Sequence, residues 1–216
     1  MASVVRHIAP VARFDLIETM AFDPETGLPM LERHLARLSR SADELGFKFD
    51  RHALRNELQA ATFALTNASR IRLLLGPTGE VAIEVSDRRN WPQAIVPVSI
   101  VPRGTGPDDP RLLHKTTDRS LYNAALQAGG TFEVLLIDDE GFLTEGCFST
   151  IFVERGDRLV TPPLGRGLLP GVLRQSLLDL GEAVEADLRP ADLEHGFFIG
   201  NAARGMVAAT LVAPKG

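Results

Sequence analysis

The sequence predicts an α/β protein of the α+β kind, divided into two units. Three observations carry that reading. Short β-rich runs are bounded by Gly, Pro and Asp turns, apolar residues recur at helical spacing between them, and the stretch GTGPDDP at 104–110 concentrates turn residues between two apolar runs. With 216 residues and 44% hydrophobic content the chain can bury a core as one large domain or two small ones. The linker places the units at 1–104 and 105–216.

In the first unit, FDLIETMAF at 14–22 reads as a strand that turns at Asp23-Pro24-Glu25-Thr26-Gly27. A helix follows, because Leu31, Leu35, Leu38, Ala42 and Leu45 share one face, Arg33, Arg37, Arg40 and Ser41 lie on adjoining faces, and Gly46 stops it. The spacing predicts a second helix over 51–65. RIRLLLGPTGEVAIEVS then reads as a hairpin across Gly76-Pro77-Thr78-Gly79, and AIVPVSIVPR adds a strand.

The second unit opens with Lys115 and a helix from about Asp118 to Ala128, with Thr116 or Thr117 available as N-cap and Gly129-Gly130 as the stop. Strands FEVLLID, FLTEG, CFSTIFV and RLVTP follow, joined by the polar, glycine-containing turns at 138–141 and 154–157. In LLPGVLRQSLLDLGE, Pro170 and Gly171 stand where a helix begins, and Val172, Leu173, Leu177 and Leu180 are expected to form its buried face. No internal repeat or low-complexity segment interrupts this order.

Composition removes several functions. The net charge of -5, with no Lys/Arg run, does not suit a nucleic-acid phosphate backbone. Cys147 is the only cysteine, so neither an intrachain disulfide nor a thiolate zinc site can form. MASVVRHIAP lacks the apolar core of a signal peptide and no apolar run approaches about 18 residues, so no membrane partner and a cytoplasmic protein are expected. The phosphate-binding signatures G-x-G-x-x-G and G-x-x-x-x-G-K-[ST] and the G-x-S-x-G elbow are missing. The five histidines include no i, i+3 or i+4 pair, so no metal is expected.

Against that background one residue is conspicuous. The chain has 23 Lys plus Arg, of which only Lys48, Lys115 and Lys215 are lysines. A deprotonated primary amine attacks a carbonyl to form a Schiff base, and burial lowers its pKa toward that state; a guanidinium does neither. Position alone leaves a surface lysine at a helix start as the other reading.

Five segments in order, ETM…LERHLARLSRSA, HKTTDR, LTEGCFSTIFV, TPPLGRGLLPGVLRQSLL and IGNAARG, resemble the successive motifs of the class IV aminotransferases, the fold-type IV enzymes that use pyridoxal 5'-phosphate (PLP). The resemblance implies two α/β domains with the cofactor between them, as in the D-amino acid aminotransferases, and a homodimer. It implies that Lys115 carries the cofactor and shuttles the substrate proton, and that Glu145 contacts the pyridine nitrogen. It implies phosphate contacts from Arg37, from the helix start at Val172 and Leu173, and from Asn201. Family members often have Thr where this chain has Leu173, so there only the backbone contact carries over. Thr150 replaces the usual Asn of the E-x-x-x-S-N-I-F pattern, and Asp118 stands where Asn is common.

FDLIETM…LERHLARL and HKTTDR most resemble the lyase members, which release pyruvate from 4-amino-4-deoxychorismate and leave 4-aminobenzoate for folate synthesis. A transaminase acting on branched-chain or D-amino acids is the alternative. Thr19, Arg103, Arg119, Ser149 and Arg204 are the candidates for contact with the small amino substrate.

Overall fold

The computed structural model describes residues 14–213, so the segment MASVVRHIAP lies outside the described residues. The first strand, β1 (Leu16–Phe22), is followed by helices α1 (Leu31–Leu45) and α2 (Arg51–Thr62) and by β2 (Ser69–Leu75) and β3 (Val81–Asp87). The three strands form an antiparallel sheet in the order β1-β2-β3. Alternation along β1 and β2 decides what each face meets. Leu16, Met20, Phe22, Ile71, Leu73 and Leu75 pack with Leu35, Leu38 and Ala42 of α1 and Leu54 and Leu58 of α2. At roughly 1.5–3 kcal/mol for each large side chain removed from water, this face holds the two helices to the sheet. The other face carries Thr19 beside Arg72 and Ala21 beside Arg70 in the β1–β2 register.

A second, eight-stranded sheet follows. Its elements are β4 (Ile95–Pro102), the short α3 (Pro110–Leu113), α4 (Ser120–Gly129), β5 (Glu133–Ile137), β6 (Leu143–Gly146), β7 (Thr150–Arg155), β8 (Arg158–Thr161), α5 (Val172–Asp179), β9 (Ala183–Glu185), β10 (Phe197–Asn201) and β11 (Gly205–Leu211). The strand order is β6-β5-β4-β11-β10-β7-β8-β9, with β4 parallel to both neighbours and β10 antiparallel to both of its own. Among the described residues no helix is long and apolar enough to cross a membrane.

Local readings and structure differ in four places. β4 precedes residue 104 yet pairs with β5 and β11, so the change of sheet falls between Asp87 and Ile95, not at 104–110. Helix α4 is entered at Arg119 without a side-chain cap, because Thr117 Oγ1 accepts the Asp15 N–H at 2.9 Å and Thr116 Oγ1 donates to Asp118 O at 3.3 Å. In CFSTIFV the strand starts only at Thr150, since Gly146 N–H donates back to Ser149 O and closes a bend first. Helix α5 buries Val172 and Arg174, while Leu173 and Leu177 are half-buried and Leu180 is 66% exposed. The guanidinium of Arg174 turns inward because it donates to Pro162 O at 2.8 Å and pairs with Glu185.

Candidate active site

Lys115 is positioned by its backbone. After α3 the chain runs extended beside β1, with Ile17 N–H donating to Lys115 O and Thr117 N–H to Asp15 O, both at 2.9 Å, and Leu16 bridging Thr116. These bonds stitch the lysine to the edge of the first sheet, where its side chain lines a cavity of about 310 Å³ together with Tyr122, Glu145 and Arg37. The amine is surrounded by protein yet partly open to that cavity. Burial, then the charges of Arg37 and Arg119, push it down to about 7, against the opposing pull of Glu18 and Glu145. Near neutral pH it is therefore available as a free amine.

Glu145 stands buried on β6, where its carboxylate accepts the Tyr122 hydroxyl at 2.7 Å and the Leu169 N–H at 3.2 Å. Burial pushes it up to about 7, with Tyr122 the main opposing partner. Tyr122 is placed by α4, and the Arg119 guanidinium lies 4.0 Å from its ring centre. A second buried acid, Glu133, accepts the Ser149 hydroxyl at 2.7 Å and the Val134 and Phe148 N–H groups at 2.9 and 3.2 Å. It too is raised by burial to about 7.

Between the sheet and α1 sits a buried triad of Glu18, Arg37 and His34. Glu18 points into the apolar face of β1, where Arg37 donates to it from Nε at 2.8 Å and Nη2 at 2.6 Å and His34 Nδ1 approaches at 2.7 Å. Burial alone would raise this carboxyl, but Arg37 and His34 outweigh it and hold it at about 2. The remaining arginine nitrogen, Nη1, donates to Pro170 O at 3.1 Å, so Arg37 ties α1 to the entrance of α5. His34 Nε2 has no partner within the described chain, and the ring lines the cavity.

The entrance of α5 is open. Gly171 is its N-cap and no side chain caps the helix, so the first N–H groups, on Val172 and Leu173, are left for an anion, as at other helix starts. Side chains pack closely on the neighbouring glycines. A Cβ on Gly171 would lie 2.8 Å from Thr150 Oγ1, and one on Gly200 would lie 2.9 Å from Leu173 Cδ2. Asn201 also lines the cavity, but its side-chain oxygen accepts the Ala203 and Arg204 N–H groups at 3.1 and 2.9 Å and its amide donates to Phe148 O at 3.0 Å. Its side chain holds the β10–β11 turn.

Thr19, Arg119, Ser149 and Arg204 all line the same cavity as Lys115, Glu145, Arg37, Val172, Leu173 and Asn201. Ser149 faces it while donating to Glu133. Arg103 does not join them: it is buried and donates to Thr105 O at 2.8 Å and to Arg166 O and Gly167 O, which makes it the brace of the 104–110 turn. Sequence reading missed Glu18, His34, Tyr122, Arg70, Arg72 and Arg89. A signal existed for the first two, since an acid in the buried alternation of β1 and a His-x-x-Arg pair on an apolar helix face both ask for partners.

Compared with known proteins, residues 15–212 match the family model described as amino-transferase class IV. The chain belongs to the class IV aminotransferase family. It is 29% identical, over 84% of its length and 82% of the relative's, to a Schizosaccharomyces pombe protein named "Putative aminodeoxychorismate lyase". A crystal structure from Mesorhizobium loti, titled "Putative amino-acid aminotransferase", superposes with a TM-score of 0.85 at 36% identity, covering 92% of this chain and 100% of that one. A Mycobacterium tuberculosis aminotransferase in its PLP-bound form has the same fold, with a TM-score of 0.78 at 22% identity over 93% of this chain and 82% of its own.

The chain is thus a PLP-dependent enzyme, and its own cavity fits that group. It offers a lysine amine poised near neutrality, a buried acid for a ring nitrogen and an uncapped helix start beside Arg37.

Proposed function

We propose that this enzyme is a lyase that converts 4-amino-4-deoxychorismate to 4-aminobenzoate and pyruvate, a step of folate biosynthesis. The observation that carries the reading is the charge of the cavity. Six arginines line it, Arg37, Arg70, Arg72, Arg89, Arg119 and Arg204, against one lining carboxylate, Glu145; Glu18 pairs with Arg37 from behind and Glu84 lies 3.6 Å from Arg72, which leaves Arg70, Arg89, Arg119 and Arg204 without an ion pair among the described residues. A phosphate can answer the charge near Arg37; a substrate with two carboxylates answers more of the remainder than a branched-chain amino acid with one. The named relative from S. pombe supports the same choice.

In this reading Arg37 and the Val172 and Leu173 N–H groups hold the phosphate of PLP, Lys115 attaches it through its amine, and Glu145 keeps its ring nitrogen protonated. Asn201 acts by shaping the turn at the phosphate. Bound there, PLP supplies an electron sink for the bond broken at the carbon bearing the substrate amine. The Lys115 amine takes the proton from that ring carbon and returns a proton to the methylene carbon of the departing enolpyruvyl group, so pyruvate leaves and the ring becomes aromatic. Tyr122 holds Glu145 through its hydroxyl, and Arg119 packs over the Tyr122 ring. The proposal includes a homodimer working in the cytoplasm. Its support is the family resemblance, the exposed apolar side chains Ile95, Phe132 and Met206 and a single thiol that needs no oxidising compartment.

The second reading, a transaminase, is favoured by the M. loti relative. Product analysis separates the two. The purified holoenzyme mixed with 4-amino-4-deoxychorismate, and no amino acceptor, is expected to form 4-aminobenzoate and pyruvate in equal amounts. No 4-aminobenzoate, with turnover only when an amino acid and a 2-oxo acid are both supplied, would replace the lyase by the transaminase.

A further inference from the structure

The phosphate cradle and Lys115 occupy one part of the cavity; a different set of elements builds another wall. Arg70 projects from the cavity face of β2, Arg89 from the connection between β3 and β4, and Arg204 from the turn between β10 and β11, and all three line the cavity. The Arg204 guanidinium lies 5.3 Å from the ring centres of Trp91 and Phe132 and 5.4 Å from that of Phe148, and Nη1 donates to Asn90 O at 3.2 Å. Trp91 stacks on Phe148 at 6.0 Å and Phe132 meets Phe148 edge-on at 5.5 Å, so the box is itself packed. Arg204 is held in place by aromatic faces rather than by an acid.

None of the three has a carboxylate partner among the described residues, whereas Arg37 pairs with Glu18 and Arg72 lies 3.6 Å from Glu84. Arg70 and Arg204 are half-buried. Burial, followed by repulsion from Arg89, weakens proton binding by both, and Arg70 adds to the repulsion on Arg204. Glu84 opposes this on Arg70 and Glu133 on Arg204, each without forming an ion pair with that arginine. Like charges gathered at a cavity wall and left without a direct ion pair are relieved when an anion enters, and a guanidinium fork matches a carboxylate.

We propose that Arg70, Arg89 and Arg204 form a second anion subsite, which takes a substrate carboxylate remote from the reacting amine and selects dicarboxylic substrates. The inference rests on the lyase reading only for the identity of the diacid. Of the three aromatic side chains around Arg204, Phe148 lines the cavity and would meet a substrate ring there.

The test uses PLP-loaded protein and two unreactive probes without an amine, 3-(carboxymethoxy)benzoate with two carboxylates and 3-methoxybenzoate with one, titrated by calorimetry and by the fluorescence of Trp91, the single tryptophan. The diacid is expected to bind about tenfold to a hundredfold more tightly, the range set by one or two charge-assisted contacts. Arg70→Gln and Arg89→Gln should each remove much of that advantage and leave the monoacid within about twofold, a pattern that general loss of structure does not give. Equal affinity for the two probes, or equal loss of both in the variants, would overturn the subsite. Titration with 2-oxoglutarate and 4-methyl-2-oxopentanoate distinguishes the source of the carboxylate: arginine-dependent preference for 2-oxoglutarate supports a subsite that serves an amino acceptor. A diacid preference without 4-aminobenzoate formation upholds the subsite while the lyase reading fails. Formation of 4-aminobenzoate with no diacid preference does the opposite.

Discussion

Arg37 grips Glu18 with two of its nitrogens, Nε at 2.8 Å and Nη2 at 2.6 Å, inside the apolar core between β1 and α1. The cation that faces the anion cradle is thereby neutralised from behind and held rigid, and its third nitrogen reaches Pro170 O at the mouth of α5. Breaking a buried pair strands a charge, which costs about 3–5 kcal/mol. Glu18→Gln keeps an acceptor, so a loss near about 3 kcal/mol is expected in urea unfolding of the cofactor-free protein at pH 7. The sign follows from the lowered carboxyl: its contribution is complete above the unfolded value of 4.5 and disappears as pH falls through about 2. An unchanged unfolding midpoint at pH 7 would contradict this role.

Arg37→Ala and Glu145→Gln should separate binding from chemistry. The first removes a charge-assisted phosphate contact and is expected to weaken PLP affinity about tenfold to a hundredfold. The second leaves PLP affinity within a few-fold, about 1 kcal/mol or less, but slows turnover about a hundredfold or more, because an amide cannot hold the ring nitrogen protonated. Titration of cofactor into the apo-protein and turnover at saturating PLP read the two effects. Equal turnover of Glu145→Gln and the parent would remove Glu145 from the site.

The lowered amine of Lys115 makes PLP capture depend on pH in an unusual range. Because the group is protonated below about 7 and free above it, the rate of PLP uptake by apo-protein should climb through pH 6–7 and level off above about pH 8. An ordinary lysine would keep accelerating toward its value of 10.5. A rate still rising steeply at pH 9 would show that Lys115 is not poised as described.

Glu133 gives a stability test that does not involve the cofactor. Its folded carboxyl keeps a proton up to about 7, the unfolded one only up to 4.5, so folding loses stability as pH rises between those values. Glu133→Gln retains an acceptor for Val134 N–H and removes that loss. The variant should therefore gain on the parent in urea midpoint between pH 5 and pH 8. Since Glu145 is raised by burial in the same window, the pH slope should be reduced, not abolished. Parallel pH profiles for variant and parent would count against it.

How far the sequence could be read depended on whether an element is decided locally. The helix at LERHLARLSRSADEL and its stop at Gly46, which has φ 73°, follow from periodicity and one residue's conformational freedom. The N-cap expected of Thr116 or Thr117 failed because both hydroxyls are engaged elsewhere, one of them by Asp15, which is 102 residues away in sequence. Leu180 was placed in the core by its spacing, yet α5 ends at Asp179 and the buried place belongs to Arg174, whose partners come from other loops. In the site, Lys115 was legible because its amine is rare in this chain and its chemistry is specific. The arginine wall was not, since Arg70 and Arg89 are unremarkable in a chain with so many arginines until β2 and the β3–β4 connection bring them to Arg204. Arg103, by contrast, has the charge expected of a substrate contact but braces a turn.

The central claim is that this cavity is built around the amine of Lys115, and one measurement addresses it directly. The holoenzyme is reduced with borohydride, digested, and the peptides mapped for the pyridoxyl label. The sequence offers three lysines, Lys48, Lys115 and Lys215, and Lys48 is exposed and does not line the cavity, so the outcomes are distinct. The account predicts one label per chain, on Lys115, and its loss in Lys115→Arg. A label on Lys48 or Lys215, or none at all, would contradict it.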